Sequence, residues 1–153
     1  MPKLYVLVGV PGSGKSTWVA NQDWASSCAY ISTDGYVEKF ARRMGKTYSE
    51  VFDEVMPRAI RLMMRAVRIA ERNGKDVIWD QTSTNLAARR RKFSALPKYY
   101  KIAVVFATPD AAELKRRLAS RPGKIIPGHV MKSMIAGFVM PTEDEGFDEV
   151  WHA

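Results

Sequence analysis

The chain has few of the residues that crosslink small extracellular proteins or bind metals in them. Of its 153 residues one is a cysteine, Cys28, and two are histidines. One cysteine cannot form an intrachain disulfide, and its distance from both histidines gives no zinc-ligand spacing. No apolar run approaches the roughly 20 residues that a helix needs to span a bilayer. We therefore expect a cytoplasmic protein that has no signal peptide and does not insert into a membrane.

Acidic residues are also in the minority. The sequence has 16 Asp and Glu against 24 Lys and Arg, which gives a formal net charge of +8. In a small protein this excess points to polyanionic partners, either nucleic acid or phosphorylated substrates. At this length, and with 46% hydrophobic residues, the chain can bury one core. We predict a single domain over residues 1–153.

Glycine is concentrated near the start of the chain. Residues 9–16 read GVPGSGKS, a match to G-x-x-x-x-G-K-[ST], and they directly follow the apolar run 4–8. A buried strand that leads into such a loop and then into a helix is the context in which this motif cradles phosphates. Lys15 can then reach the β- and γ-phosphates, and the Ser16 hydroxyl can bind Mg²⁺. The residues predicted to bind ATP are Gly9, Pro11, Gly12, Ser13, Gly14, Lys15, Ser16 and Thr17.

Short apolar runs alternate with helical stretches along the whole chain. The predicted strands cover residues 3–8, 29–32, 76–80, 100–107 and 147–151. The predicted helices cover 15–21, 35–44, 48–72, 86–96, a stretch from Thr108 or Asp110 to 120, and 127–138. Strands separated by helices predict a parallel sheet covered on both faces. The expected fold is a three-layer α/β/α arrangement around five parallel strands.

Two aspartates follow predicted strands, Asp34 after the second and Asp80 at the end of the third. Ligands of open parallel sheets bind beyond the carboxyl ends of the strands, so both side chains should face the glycine-rich loop. Asp34 can there accept the proton of an attacking hydroxyl, or it can cap the next helix. Asp80 either holds the nucleotide's Mg²⁺ and contacts substrate or solubilises a strand end. Thr84 and Asn85 are further candidates for substrate contact, and Asn85 is equally suited to capping.

Two arginines late in the chain flank the end of a predicted helix. Arg117 and Arg121 come just before Pro122-Gly123. A segment interrupted by Pro and Gly between two helices is suited to a mobile lid, here at about residues 117–138. Arginines on a lid can close over phosphates and stabilise charge that develops during transfer. The alternative is a solvated basic helix end.

The long predicted helix 48–72 carries five arginines at spacings of three and four, which places them on one face. They are Arg58, Arg61, Arg65, Arg68 and Arg72. Two interpretations remain open, a solvated face or a surface along which a nucleic-acid strand lies. The basic run 89–92 has the same two interpretations. The apolar face of the helix is predicted to consist of Ile60, Leu62, Met63, Val67 and Ile69.

Taken in order, these motifs resemble the kinase module of phage-type polynucleotide 5′-hydroxyl kinases. The resemblance lies in residues 9–18, in Asp34, in Asp80 with 84–86, and in the two arginines before Ile126-Pro127. The ending, 141–142 with 145–147, is similar to the wider group of zeta-toxin and polynucleotide kinases. The resemblance covers essentially the whole chain. It implies a P-loop kinase fold and ATP- and Mg²⁺-dependent phosphorylation of a 5′-OH on DNA or RNA.

The same resemblance implies a role for each matching residue. Lys15 and Ser16 serve the donor phosphates and the metal, Asp34 is the general base, and Arg117 with Arg121 clamps the donor.

One position departs from the pattern. The family it resembles has a basic residue three positions after the catalytic aspartate, which grips the acceptor's phosphate, and this chain has Val37. Lys39, Arg42 or Arg43 are candidates to replace it. Otherwise the acceptor is a different hydroxyl, on a hydroxymethylated base in DNA, a nucleoside or a small alcohol. A nucleotide-dependent binding module without turnover is the non-enzymatic alternative.

Overall fold

The computed structural model describes residues 1–153 and contains a five-stranded sheet between helices. The strands are β1 (Lys3–Val8), β2 (Ala29–Ile31), β3 (Val77–Trp79), β4 (Tyr100–Val105) and β5 (Glu149–His152). The helices are α1 (Lys15–Ala20), α2 (Asp34–Met44), α3 (Tyr48–Arg72), α4 (Leu86–Ala95), α5 (Ala111–Ala119) and α6 (Gly128–Ala136). Two 3₁₀ turns, Asp23–Ser27 and Glu143–Glu145, were not predicted. No helix is long and apolar enough to cross a membrane.

The sheet is parallel throughout, with the strand order β2-β3-β1-β4-β5. The central strand β1 pairs with β3 through Leu4↔Val77 and with β4 from Lys3↔Tyr100 to Val8↔Val105. Because helical connections return the chain to the same end of the sheet, the carboxyl ends of all five strands lie along one edge. The predicted three-layer α/β/α fold with five parallel strands is confirmed.

The side chains of β1 alternate between two cores. Leu4 and Val6 are buried on the face that α3 covers with Met63 and Val67. On the opposite face, Tyr5 and Leu7 pack against α1 and the first 3₁₀ turn. Both faces of the strand are therefore buried, as its continuous apolar sequence predicts.

An aromatic cluster occupies this second core. The Trp24 ring is tilted against Tyr5 at a centroid distance of 4.6 Å. Trp18 of α1 meets Trp24 and Phe106 edge-on, at 5.9 Å from each. The cluster fixes α1, and with it the end of the glycine-rich loop, on the sheet.

Helix α3 begins and ends at the predicted residues because both of its ends are locally encoded. Thr47 and Glu50 form a reciprocal capping box, and Asn73-Gly74 terminates the helix with Gly74 at φ 64°. Its predicted apolar face is only partly correct. Met63 and Val67 are buried, but Ile60 and Ile69 are 43% and 47% exposed.

The basic run 89–92 is not one surface, because two of its four members are buried. Arg89 is fully buried and makes two hydrogen bonds to the Glu145 carboxylate, at 2.5 and 3.0 Å. It also donates to the carbonyls of Ser83 and Val139. Arg90 and Arg91 are exposed. The predicted common role of the run is therefore wrong for Arg89, which joins α4 to the second 3₁₀ turn.

Lys92 is the other buried member of the run. It is 5% exposed, and its ammonium lies 5.2 Å from the centroid of the Trp79 ring. Burial, and secondarily the charge of Arg91, lowers the pKa of Lys92 to about 8. The charged form is thus less favourable in the folded chain than in water.

We expect Glu145→Ala to lower the free energy of unfolding by about 3–5 kcal/mol, because it leaves the Arg89 guanidinium buried without its carboxylate. Urea denaturation measures the loss. The control is Glu143→Ala, an exposed residue of the same turn, which should cost no more than about 0.5 kcal/mol. Equal losses of unfolding free energy in the two variants would contradict a stabilising role for the buried Arg89–Glu145 ion pair.

Lys92→Met should stabilise the protein at pH 7 by about 1–2 kcal/mol, because it removes a buried charge but keeps the side-chain volume. Between pH 8 and the ordinary lysine pKa near 10.5, the unfolded chain binds more protons at this residue. Stability of the native protein therefore rises with pH in that window, and the variant should lack this part of the rise. Lys98→Met, at an exposed site, is the control. Identical pH profiles for Lys92→Met and the native protein would refute the lowered pKa.

Candidate active site

A cleft of about 1650 Å³ opens at the carboxyl edge of the sheet. It brings together the glycine-rich loop from Pro11 to Thr17, Asp34, Asp80, Arg117 and Arg121, which the sequence separates by up to about a hundred positions. One small ligand typically occupies about 300–1,000 Å³. The cleft has room for two.

The glycine-rich loop is shaped to admit an anion. A Cβ on Gly9 would lie 2.5 Å from Ser13 Oγ and 2.9 Å from Phe106 Cβ, and Gly14 has φ 100°. The amides of Gly14, Lys15 and Ser16 donate to no carbonyl. The hydroxyl of Ser13 is buried and has no hydrogen-bond partner. Unpaired amides and an orphaned hydroxyl in a tight glycine turn fit a polyphosphate.

Lys15 bends back over this loop. Its ammonium donates to the carbonyls of Gly9 at 2.9 Å and Val10 at 3.0 Å. Burial lowers the pKa of Lys15, and the nearby carboxylates of Asp80 and Asp34 partly oppose the change. A charged amine held by two neutral carbonyls is well placed to bind phosphate oxygens instead.

Ser16 and Asp80 meet across the cleft floor. The Ser16 hydroxyl donates to Asp80 Oδ2 at 3.4 Å, and the hydroxyl of Tyr30 donates to the same oxygen. Asp80 is 8% exposed, and burial raises its pKa while the hydrogen bond from Tyr30 lowers it. A hydroxyl beside a carboxylate provides the oxygen ligands that Mg²⁺ prefers. With only one carboxylate on this floor, phosphates and water would complete the coordination.

Asp34 is held by a tyrosine rather than used as a helix cap. Thr33 occupies the N-cap position of α2, and the Asp34 carboxylate accepts a 2.6 Å hydrogen bond from the Tyr48 hydroxyl. Burial, followed by that hydrogen bond, raises the pKa of Tyr48. Tyr48 is therefore a protonated donor at neutral pH, and it fixes the carboxylate in the cleft. Neither Tyr48 nor Tyr30 was predicted from the sequence as a site residue, because each is apart in the chain from the carboxylate it holds.

The segment between α5 and α6 crosses the cleft and contacts the start of α3. The Ser49 amide donates to the Gly123 carbonyl at 3.0 Å, and the Ile125 amide donates to Ser49 Oγ at 2.7 Å. Lys124 forms an ion pair with Glu38 of α2. Its ammonium also lies 4.7 Å from the centroid of the Tyr48 ring. The predicted lid region is thus linked to the tyrosine that holds Asp34.

The two predicted lid arginines are placed differently. Arg117 donates to the Gly12 carbonyl at 3.0 Å and to Glu113 at 2.7 Å. Hydrogen bonds from Arg116, and then from Arg117, lower the pKa of Glu113 to about 2. Arg121 lines the same cleft and has no ion pair. Arg117 is already docked on the loop, whereas Arg121 is free to contact a ligand.

Two predicted substrate residues do not line the cleft. Thr84 is 5% exposed and Asn85 caps α4, its Oδ1 accepting from the Ala88 amide at 2.8 Å. Of the two roles open for Asn85, the structure thus shows capping. The chain turns away after Asp80 through Ser83, which has φ 48°, so residues 84–85 lead into the start of α4 and leave the sheet edge.

The residues predicted to take the place of the basic residue that is missing at position 37 do not lie in the cleft either. Val37 is fully buried in the contact between α2 and α3. Lys39, Arg42 and Arg43 are exposed on α2 and do not line the cleft. The acceptor side therefore gains no cation from α2.

An apolar wall lies there instead. Its members are Phe52, Met56 and Ile60 of α3, together with Ile125, Val130 and Met134 from the lid region and α6. Phe52 is 38% exposed and its ring tilts against Tyr48 at 5.6 Å. The four-residue spacing of the α3 members would have been the sequence signal for this wall.

A family model described as AAA domain (AAA_33) matches residues 4–141. Heterogeneous nuclear ribonucleoprotein U-like protein 2 is 28% identical in Mus musculus and 27% identical in Homo sapiens, over 97% of this chain in each case. The chain spans about a fifth, 21%, of the length of these relatives.

Solved structures share the fold over most of the chain. A protein from Chloroflexus aurantiacus superposes with a TM-score of 0.71 at 16% identity, covering 99% of this chain and 84% of that one. A sugar kinase from Janibacter sp. HTCC2649 gives 0.64 at 18% identity, covering 99% and 86%. A chain of a Pnkp1/Rnl/Hen1 complex gives 0.57 at 23% identity, covering 83% and 42%. The fold is that of the P-loop kinases.

For any phosphoryl transfer from ATP in this cleft, we expect Tyr48→Phe to lower kcat about 10-fold and to leave the KM for ATP unchanged, because the variant loses the hydrogen bond that orients Asp34. Steady-state kinetics at saturating ATP measure both constants. Tyr36→Phe is the matched control, since that hydroxyl makes only a 3.5 Å contact with the Leu62 carbonyl. An unchanged kcat in Tyr48→Phe would remove Tyr48 from this role.

Proposed function

The chain belongs to the AAA domain family (AAA_33), and from this premise we propose that it is an ATP- and Mg²⁺-dependent kinase that phosphorylates a hydroxyl of a nucleic acid. Its P-loop kinase fold implies nucleotide binding. The observation that carries the proposal is the shared cleft: a phosphate-shaped loop with Lys15 faces a fixed carboxylate, Asp34, across a space for two substrates. Residues 1–153 act as one domain in this proposal, with the lid at about 117–138.

In the proposed reaction the loop amides and Lys15 hold the β- and γ-phosphates of ATP. The Ser16 hydroxyl and Asp80 would hold Mg²⁺, which would supply positive charge to the phosphates. Asp34 accepts the proton of the acceptor hydroxyl as that oxygen attacks the γ-phosphorus in line. The bond from the γ-phosphorus to the β–γ bridging oxygen breaks on the opposite side, and ADP leaves with that oxygen. Arg121 stabilises the charge that develops on the transferred group, and Arg117 supports the loop from Gly12. Positioning and electrostatics supply most of the acceleration.

Two features support nucleic acid as the acceptor class. The net charge is +8, and α3, which forms one wall of the cleft, also carries five exposed arginines. One fold neighbour belongs to the Pnkp1/Rnl/Hen1 complex, and the relatives are named as ribonucleoproteins. Our first acceptor is therefore the 5′-OH end of DNA or RNA.

A second acceptor is favoured by the charges of the cleft. Of its cations, Lys124 is paired with Glu38 and Arg116 with Glu113, while Val37 is buried. Arg117 is docked on the Gly12 carbonyl, and Arg121, which has no ion pair, is assigned to the transferred phosphate. No further cation is then left to grip a second phosphate beside the attacking hydroxyl, and the apolar wall fits a flat ring. This favours a hydroxyl carried on a base, such as a hydroxymethylated pyrimidine in DNA, which would have to leave the base stack to react.

The test offers γ-labelled ATP with 5′-OH oligonucleotides, 5′-phosphorylated duplexes that contain a hydroxymethylated base, and free nucleosides. Label on the 5′-OH oligonucleotide supports the first acceptor, and label on the 5′-blocked duplex supports the second. Label on nucleosides alone would contradict a nucleic-acid acceptor. No label on any of them would contradict the proposal.

Asp34→Asn should reduce transfer at least about 1000-fold, because the amide cannot accept the hydroxyl proton. ATP affinity, measured by calorimetry with Mg²⁺, should change less than about 3-fold. Asp53→Asn is the matched control, a carboxylate on the wall of the same cleft without an assigned role. Unchanged turnover in Asp34→Asn would exclude Asp34 as the base.

A further inference from the structure

The solvent face of α3 is rich in arginine. Five arginines on this helix are exposed, and none has a carboxylate partner. We call them the α3 arginine track: Arg58, Arg61, Arg65, Arg68 and Arg72.

The arginines of the track differ from three other arginines of the chain, which form ion pairs. Arg89 is paired with Glu145, and Arg116 and Arg117 share Glu113. In the track, Arg58 alone has an aromatic contact, with its guanidinium 5.0 Å from the centroid of the Phe40 ring. Like charges three and four positions apart on a helix repel one another and weaken it. A bound polyanion would remove that repulsion.

The dimensions of the track suit a phosphate backbone. From Arg58 to Arg72 it extends about 21 Å at 1.5 Å per residue. One strand of a DNA duplex places a phosphate about every 3.4 Å along its axis, so about six phosphates cover this length. The basic residues of α3 are all arginines, and arginine binds phosphate oxygens in pairs.

We propose that the α3 arginine track is a nucleic-acid binding surface that holds the sugar-phosphate backbone without reading sequence. Its Arg58 end lies nearer the cleft than its Arg72 end, because Phe52, Met56 and Ile60 of the same helix line the cleft, although no arginine of the track does.

An anionic lipid surface is a poorer partner, because most apolar residues of α3 are buried or half-buried and the exposed ones, Phe52, Ile60 and Ile69, are too scattered to form an apolar face that inserts. This proposal rests on the proposed function, since the bound nucleic acid would be the kinase's acceptor. Binding of nucleic acid to the track itself requires neither ATP nor Asp34.

The experiment compares two triple variants with the same change in charge. One is Arg61→Gln with Arg65→Gln and Arg68→Gln, and the control is Lys98→Gln with Lys115→Gln and Lys132→Gln, all exposed. Filter binding to a 20-nucleotide single strand is measured without nucleotide over a salt series. At about 50 mM salt the track variant should bind about 10–100-fold more weakly, and the slope of log K against log salt should fall by about 2. The control should change less than about 3-fold.

Three outcomes would overturn the proposal. Equal losses of affinity in both variants would show that only the net charge of the protein matters. Unchanged affinity in the track variant would show that the nucleic acid binds at another surface. Track-dependent binding to vesicles of anionic lipid that exceeds binding to the oligonucleotide would identify a membrane surface instead. Thermal unfolding of both variants, expected within a few degrees of the native protein, shows that each is folded. Because ATP is absent from the binding assay, a failure of phosphoryl transfer leaves this result intact.

Discussion

The pairing of β1 between β3 and β4 is the constraint on which the rest of the site depends. It brings the ends of β1 and β3 together, and the Gly9 amide then donates to the Thr82 carbonyl at 2.9 Å. The glycine-rich loop and the residues after β3 are therefore held side by side. This junction places Ser16 within reach of Asp80 although 64 positions separate them. A cleft with oxygen ligands on its floor follows from strand order alone.

Asp80 and Asp34 in the cleft are each held by a tyrosine from another element. Tyr30 at the edge of the sheet donates to Asp80, and Tyr48 at the start of α3 donates to Asp34. Burial raises the pKa of both phenols, so they remain donors over the physiological range. The carboxylates thus keep a fixed orientation without being neutralised by a cation. Lys124 over the Tyr48 ring extends this arrangement to the segment that crosses the cleft.

The features that could be predicted from the sequence are those encoded by neighbouring residues. The bounds of α3 follow from its capping box and from Gly74, and the glycine-rich loop follows from a contiguous motif. The features that could not be predicted depend on contacts across the fold. Arg89 lies in a basic run, and only its distant partner Glu145 makes burial possible. Ile60 fits the apolar pattern of a helix face that packs on the core, but its side chain lines the cleft instead.

Trp18 belongs both to the aromatic cluster under α1 and to the wall of the cleft. It lies two residues after Ser16 and touches Trp24 and Phe106 edge-on. A ligand that enters the loop therefore changes the polarity around an indole that already has a second indole beside it. Of the four tryptophans, Trp18 alone lines the cleft. The protein thus contains an intrinsic optical reporter, and its emission spectrum records occupancy of the loop without an attached dye.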